Sequence, residues 1–260
     1  MNDLKMRLNR GTSKVAMFHI GRSGSTVVGD LLHQNKNIYW DGELFEPDVH
    51  RSFKHFSSLF PGKTKTFIRL HALKANLLRR AANYYGFETK FFHLRNQDIL
   101  LPQYVSGLKQ IGLSHVIILK RNNYLRKVIS SLIAQQRNQY HLSNQLTSSL
   151  TQINFDVQSV AVDGTVLPLL NHFRQWDHDF MLLDQAVETL PTLRLTYEDD
   201  VFSDPQIAYG KICVFLNIDL EQSHIKFSKT NPFAVQDTLA NFDQIAKALQ
   251  DTGYEWMLYQ

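Results

Sequence analysis

A strand-like apolar run, Val15 to Ile20, breaks at Gly21-Arg22-Ser23-Gly24-Ser25-Thr26, and an apolar helical pattern starts directly behind it. Those residue types at that spacing make an anion cradle. Glycines at 21 and 24 let backbone amides converge without a Cβ in the way, and the helix start adds unpaired N–H groups and the positive end of its dipole. Ser25 and Thr26 add hydroxyl donors, and Arg22 can fork onto one phosphate. A loop for a nucleoside triphosphate needs four residues between its glycines and then Gly-Lys-Ser/Thr. Here two residues separate the glycines and no lysine follows, so the loop suits a shorter phosphate chain. A tight strand-to-helix turn that binds nothing is the plain alternative.

A second cationic point follows the run His115 to Leu119, which ends in Lys120-Arg121. In a doubly wound sheet such a strand brings Arg121 to its carboxyl end, the edge that also carries the Arg22 loop. Ser130 lies about two turns along the next helix and can add a hydroxyl. Two separated anion sites on one edge fit a ligand phosphorylated at two places. Two groups could take a proton. Glu43, in Asp41-Gly42-Glu43-Leu44-Phe45-Glu46-Pro47, is flanked by Trp40, Leu44 and Phe45, whose desolvation would raise a carboxyl pKa toward a useful range. His71, after the run ending Arg69-Leu70, titrates conveniently without tuning. Taken alone, Glu43 is equally an exposed loop acid and His71 a residue at a helix start.

These groups need a scaffold, and the periodicity supplies one. Short β-rich runs alternate with longer helical patterns, which predicts an α/β fold: one P-loop-like domain with a central parallel sheet flanked by helices. Strands are expected over Val15 to Ile20, Lys65 to Leu70, Thr89 to Leu94, His115 to Leu119 and Thr192 to Thr196. Helices are expected over Thr26 to His33, Ala72 to Tyr84, Asn123 to Gln136, Val166 to Ala186, Pro205 to Asn217 and Thr238 to Leu249. The polar, weakly periodic stretch from Gln139 to Asp163 reads as a mobile surface excursion, a lid or an insertion. His172 and His178 lie six apart, on different faces of a helix, so no metal pair is expected; Phe173, Trp176 and Phe180 read as packing.

Composition narrows the function class. The chain has 260 residues, 43% of them hydrophobic and 20% charged, enough for a single core. Its one cysteine, Cys213, excludes an internal disulfide and a cysteine zinc cluster and reads as packing. A net charge of +4 suits an anionic ligand, but the basic residues are scattered and lack the clustering of a nucleic-acid surface. No apolar run of about 18 residues is present to span a membrane, and the polar N-terminus lacks a signal-peptide core, so a cytoplasmic protein is expected.

Together, Gly21-Arg22-Ser23-Gly24-Ser25-Thr26, Arg121 with Ser130 nine residues on, and Leu195-Thr196-Tyr197-Glu198-Asp199-Asp200 resemble the sulfotransferases that use 3′-phosphoadenosine 5′-phosphosulfate (PAPS). The likeness is to the bacterial and carbohydrate-type branch, whose loop carries Arg-Ser-Gly-Ser where the cytosolic steroid and phenol enzymes carry Lys-Ser-Gly-Thr. It covers most of the chain, including a tail from Asn231-Pro232 to Tyr259, and is weakest between residues 139 and 165. The resemblance implies that Arg22, Ser23, Gly24, Ser25 and Thr26 hold the 5′-phosphosulfate and that Arg121 and Ser130, or Ser131 beside it, hold the 3′-phosphate. It places Tyr197 near the adenine, where its other role is packing at a strand end, while Glu198 and Asp199 start a helix. Lys229 is the nearest candidate for a further cation on the 3′-phosphate, an exposed lysine being the plain reading. For the base, bacterial members with similar text use the glutamate that matches Glu43, with Glu46 beside it, and the cytosolic branch places its histidine much where His71 stands; the type of loop favours Glu43. The implied activity is transfer of a sulfonyl group, without a metal, to a hydroxyl of a small soluble acceptor such as a specialised metabolite, sugar or lipid precursor, releasing 3′-phosphoadenosine 5′-phosphate (PAP). A kinase-like phosphotransferase and a non-catalytic nucleotide binder are the other readings of the same chassis.

Overall fold

The computed structural model describes residues 13–43, 82–138, 142–143, 149–229 and 231–260. The chain runs β1 (Ser13–His19), α1 (Ser25–His33), β2 (Ile38–Glu43), β3 (Tyr84–Lys90), α2 (Phe91–Asn96), α3 (Leu101–Gln110), β4 (Leu113–Lys120) and α4 (Tyr124–Arg137). A hairpin, Val160–Val162 with Thr165–Leu167, precedes α5 (Leu169–Val187), β5 (Thr192–Thr196), α6 (Tyr197–Asp200), α7 (Pro205–Leu216) and α8 (Phe242–Leu249). The five numbered strands form one sheet in the order β2-β3-β1-β4-β5, every neighbouring pair parallel.

That order makes β1 the switch point. The chain leaves β1 toward β2, returns to insert β3 between them, then crosses to the far side for β4. A crevice opens at the carboxyl ends of the strands where connections diverge, and the Arg22 loop lies there. The same edge receives Glu43 from β2, Lys90 from β3, Arg121 just past β4 and Tyr197 just past β5.

Both faces of the sheet are covered, so its strands read as unbroken apolar runs. Ala16, Phe18, Tyr85, Phe87, Val116 and Ile118 belong to one buried cluster with residues of α3, α4 and α5. Val15, Met17, Trp40, Ile117 and Leu119 belong to the other, with α1 and α7. Gly86 is required by this second layer: a Cβ there would lie 2.2 Å from the Trp40 ring.

The α/β architecture is as expected, and several boundaries differ. Of the strand expected over Thr89 to Leu94, only Thr89 and Lys90 are extended. β3 lies five residues earlier and ends at Lys90, and Phe91–Asn96 turns helical. A short apolar run suits either state, and Gly86 and Glu88 disguised the true strand. Tyr84 opens β3 rather than closing a helix; the remainder of that helix, residues 72–81, and the strand expected over Lys65 to Leu70 lie outside the described residues. α5 starts at Leu169 behind Pro168, because residues 165–167 complete the hairpin. α8 starts at Phe242, after a separate helical turn over Val235–Thr238. The stretch expected as a mobile excursion is anchored from residue 149 onward: Ile153, Phe155, Val157, Val160 and Val162 are buried, and Ile153 exchanges backbone bonds with Thr238 and Ala240. Period-2 apolar residues among polar ones give such a segment a buried stripe that composition alone conceals. Among the described residues, no helix is long and apolar enough to cross a membrane.

Candidate active site

The loop after β1 takes three left-handed turns, with φ of 79° at Gly21, 54° at Arg22 and 79° at Gly24. Left-handed backbone costs a non-glycine residue about 1–2 kcal/mol, so Arg22 must be held there by its neighbours. Arg121 Nη1 donates to the Arg22 carbonyl at 2.6 Å, and Arg22 Nε donates to Ser130 Oγ at 2.9 Å. Gly24 needs both its φ and its lack of a side chain: a Cβ would sit 2.7 Å from Val201 Cγ1 and 3.1 Å from the Tyr197 ring. Gly24 is also the N-cap of α1 and no side chain caps that helix. The first intrahelical bond is Val28 N–H to the Gly24 carbonyl, which leaves the amides of the first turn as donors for an anion. Ser23 is buried and its hydroxyl donates to the Gly21 carbonyl, bracing the loop.

Arg121 is 7% exposed. Beyond the Arg22 carbonyl it meets the face of Tyr197, 4.5 Å from guanidinium carbon to ring centroid. Its Nε is buried with no hydrogen-bond partner, and among the described residues no carboxylate pairs with it. Burial holds its pKa below the usual range, with Tyr197 and Glu198 opposing. Glu198 instead accepts from the Asn122 and Asn123 amides, 3.0 Å each, and fixes the turn that follows β4. Behind Tyr197, the exposed ring of Phe202 packs edge-on at 6.0 Å, and Lys229 Nζ stands 3.6 Å above that ring. Arg121 and Lys229 thus bracket the two rings of Tyr197 and Phe202, a cationic and aromatic stack suited to a flat, electron-rich ligand.

α4 carries the next layer. Ser130 faces Arg22, whereas Ser131 accepts from Lys127 at 3.4 Å, so the two serines that spacing left open have different partners. Lys127 is fully buried. Its ammonium pairs with Asp163 at the hairpin turn (2.5 Å) and lies 4.7 Å over the Trp176 ring. Burial pushes its pKa down to about 8, Asp163 opposing.

On the other side of the loop, β2 and β3 end in a charged corner. Glu43 Oε2 lies 2.5 Å from Lys90 Nζ and 3.9 Å from His93 Nε2. The Lys90 stem runs past Gly21, within 3.6 to 3.7 Å of where its Cβ would be, so the ammonium stands between the anion loop and Glu43. The Trp40 indole N–H turns inward to Glu88 at 2.9 Å. Deeper still, the Gly21 amide donates to His19 Nδ1 at 3.1 Å, and His19 Nε2 approaches Glu88 Oε2 at 3.2 Å in a bent geometry. His19, Glu43 and Glu88 each place a ligand-type atom within 4.8 Å of the others. An Nδ1 that accepts from an amide leaves the proton on Nε2, however, and Lys90 already neutralises Glu43, so this donor set is poorly suited to a cation.

Arg22, Ser23, Gly24, Ser25, Thr26, Arg121, Ser130 and Tyr197 therefore meet around one loop, with Glu43 on its far flank and Lys229 behind Phe202. His71 and Glu46 lie outside the described residues. Sequence reasoning missed His19, Glu88, Lys90, His93, Lys127 and Phe202. The signal for Glu88 and His19 was a charged residue within an otherwise apolar strand, a placement that burial permits only with partners. No protein-family model and no curated protein matches the chain, so the functional reading rests on this geometry.

Proposed function

We propose that the protein is a cytoplasmic sulfotransferase that moves a sulfonyl group from PAPS to a hydroxyl of a small acceptor. The observation that carries this reading is Arg121: a buried guanidinium with an unsatisfied Nε and, among the described residues, no paired carboxylate, beside an uncapped helix start. An uncompensated buried charge is costly, and a phosphate group is the partner this one lacks. PAPS supplies an activated sulfonyl group between a 5′-phosphate leaving group and the acceptor; the remaining work is positioning and charge stabilisation.

The residues divide that work. The first-turn amides of α1 and the loop around Arg22 receive the 5′ group, and stabilise the charge that grows on the 5′-phosphate as its bond to sulfur breaks. Arg121 and Ser130 take the 3′-phosphate, with Tyr197 and Phe202 along the base and Lys229 at its rim. Glu43 accepts the acceptor's proton as the new oxygen–sulfur bond forms. Lys90 pairs with that carboxylate and stands beside the group in transit, and His93 backs the same oxygen. The test is calorimetric binding of PAP without added metal, followed by a screen of hydroxylated metabolites with labelled donor. No PAP binding, together with Mg²⁺-dependent ATP hydrolysis, would move the protein to phosphoryl transfer.

A further inference from the structure

The charged network beneath the loop has its own logic. Glu88 is 4% exposed and His19 fully buried, so each must have its polar atoms satisfied inside the protein. Trp40 Nε1 donates to Oε1 at 2.9 Å, and His19 Nε2 stands 3.2 Å from Oε2, an ion-pair distance in a geometry too bent for a full hydrogen bond. A carboxylate is the only side chain of this size that accepts on both atoms. On the other edge of the imidazole, Nδ1 must be bare, because the Gly21 amide can only donate to it. Gly21 is where the chain leaves β1 and enters its left-handed turns.

We infer that Glu88 is a positioning residue: with Trp40 and His19 turned onto its two oxygens, it fixes His19 as the Nε2–H tautomer and thereby anchors the Gly21 amide from which the anion loop departs. Burial, outweighing the raising effect of Glu88, holds the His19 pKa below its ordinary value. Burial alone would raise Glu88, but the bonds from His19 and Trp40 and the Lys90 charge keep it below the usual carboxylate range. Both directions agree with a neutral ring on an ionised acid. The inference rests on the loop binding an anion, as proposed above, but not on the identity of that anion.

Glu88→Gln provides the test, because an amide offers one acceptor and one donor to two donors. Either Trp40 or His19 loses its bond, and an amide N–H aimed at Nε2 drives the imidazole to the Nδ1–H form, which faces the Gly21 amide hydrogen to hydrogen. Nitrogen-15 NMR of the ring, assigned through His19→Asn, should show a bare Nδ1 in the wild type and loss of that state in Glu88→Gln. Pyrophosphate, the probe for the loop, should bind about tenfold more weakly in Glu88→Gln, the scale of one unsatisfied buried amide. Trp40→Phe added to Glu88→Gln frees the amide oxygen for His19 and should restore both tautomer and affinity. A protonated Nδ1 in the wild type, or a Glu88→Gln protein with unchanged tautomer and pyrophosphate affinity, overturns the inference; the first needs no variant to fold. Pyrophosphate binding that follows this pattern without any PAP binding supports the inference and overturns only the donor reading.

Discussion

Replacing Arg121 with methionine separates binding from folding. Methionine keeps an apolar stem against Tyr197 but removes the charge, the bond to the Arg22 carbonyl and the orphaned Nε. In the ligand-free protein the losses are one hydrogen bond to a charged donor, about 1.5–3 kcal/mol, and the stacking, about 1–2 kcal/mol when desolvated. Against them stands relief of a buried charge that no carboxylate among the described residues pairs with directly, several kcal/mol in effective terms. The two sides nearly cancel, so the unfolding free energy of Arg121→Met should stay within about 1 kcal/mol of wild type or rise. Binding is different, because the phosphate now enters a site without its cation. Truncating one partner of a buried charge pair costs about 2–5 kcal/mol, a rise of roughly 30-fold to several thousand-fold in Kd at 1.4 kcal/mol per decade. Urea denaturation of the free protein and calorimetry with PAP read the two quantities separately. A variant that unfolds several kcal/mol more easily yet binds PAP as before would show that Arg121 serves the fold, and the reasoning from its unsatisfied nitrogen would fail.

Glu43→Gln should abolish sulfonyl transfer in a labelled-donor assay while PAP affinity is retained; undiminished turnover would pass the proton to His93 or His71. Gly24→Ala should cost about 2–4 kcal/mol of stability in a melting experiment, from left-handed strain and the 2.7 Å contact with Val201, and a wild-type melting temperature would refute the loop geometry. Asp163→Asn should destabilise by about 3–5 kcal/mol, because it strands the Lys127 charge, whereas Lys127→Met should be far milder; equal losses would show that the pair is not buried. Lys127 also gives a pH signature. Its folded pKa, about 8, lies below the unfolded 10.5, so between those values the unfolded chain binds more protons and stability rises with pH. Relative to Lys127→Met, the wild type should gain about 3 kcal/mol across that window, and parallel stability curves would contradict it.

The sequence disclosed the parts of the site that sit at breaks in pattern. Glycines and serines interrupting an apolar run can only be a turn, and a strand that ends in Lys120-Arg121 puts its last cation at the sheet edge. Thr196 before Tyr197-Glu198-Asp199 reads as a helix start, and α6 begins there with Thr196 accepting from the Asp199 amide. The concealed parts are those whose meaning depends on a distant partner. Glu88 reads as a strand breaker until Trp40 and His19 converge on it from β2 and β1. Lys127 reads as a solvent-facing helix residue until a hairpin some 36 residues later brings Asp163 beneath it. His93 lay within the run Thr89 to Leu94 expected as a strand, and only its helical turn brings the ring back toward Glu43. Local periodicity carries no information on such pairings, since they are set by strand order.

Strand order also dictates a schedule during synthesis. β1 is made first, yet its two neighbours are β3, paired Ser13 to Tyr84, and β4, paired Lys14 to Leu113. At about 5–20 residues per second, the ribosome needs on the order of 4 to 14 s to supply the first of these edges and longer for the second. Throughout that interval the apolar run Val15 to Phe18 has no sheet to join. The nascent chain is therefore a natural client for a holding chaperone, and production yield should respond to chaperone supply and growth temperature more than the finished protein's stability would suggest.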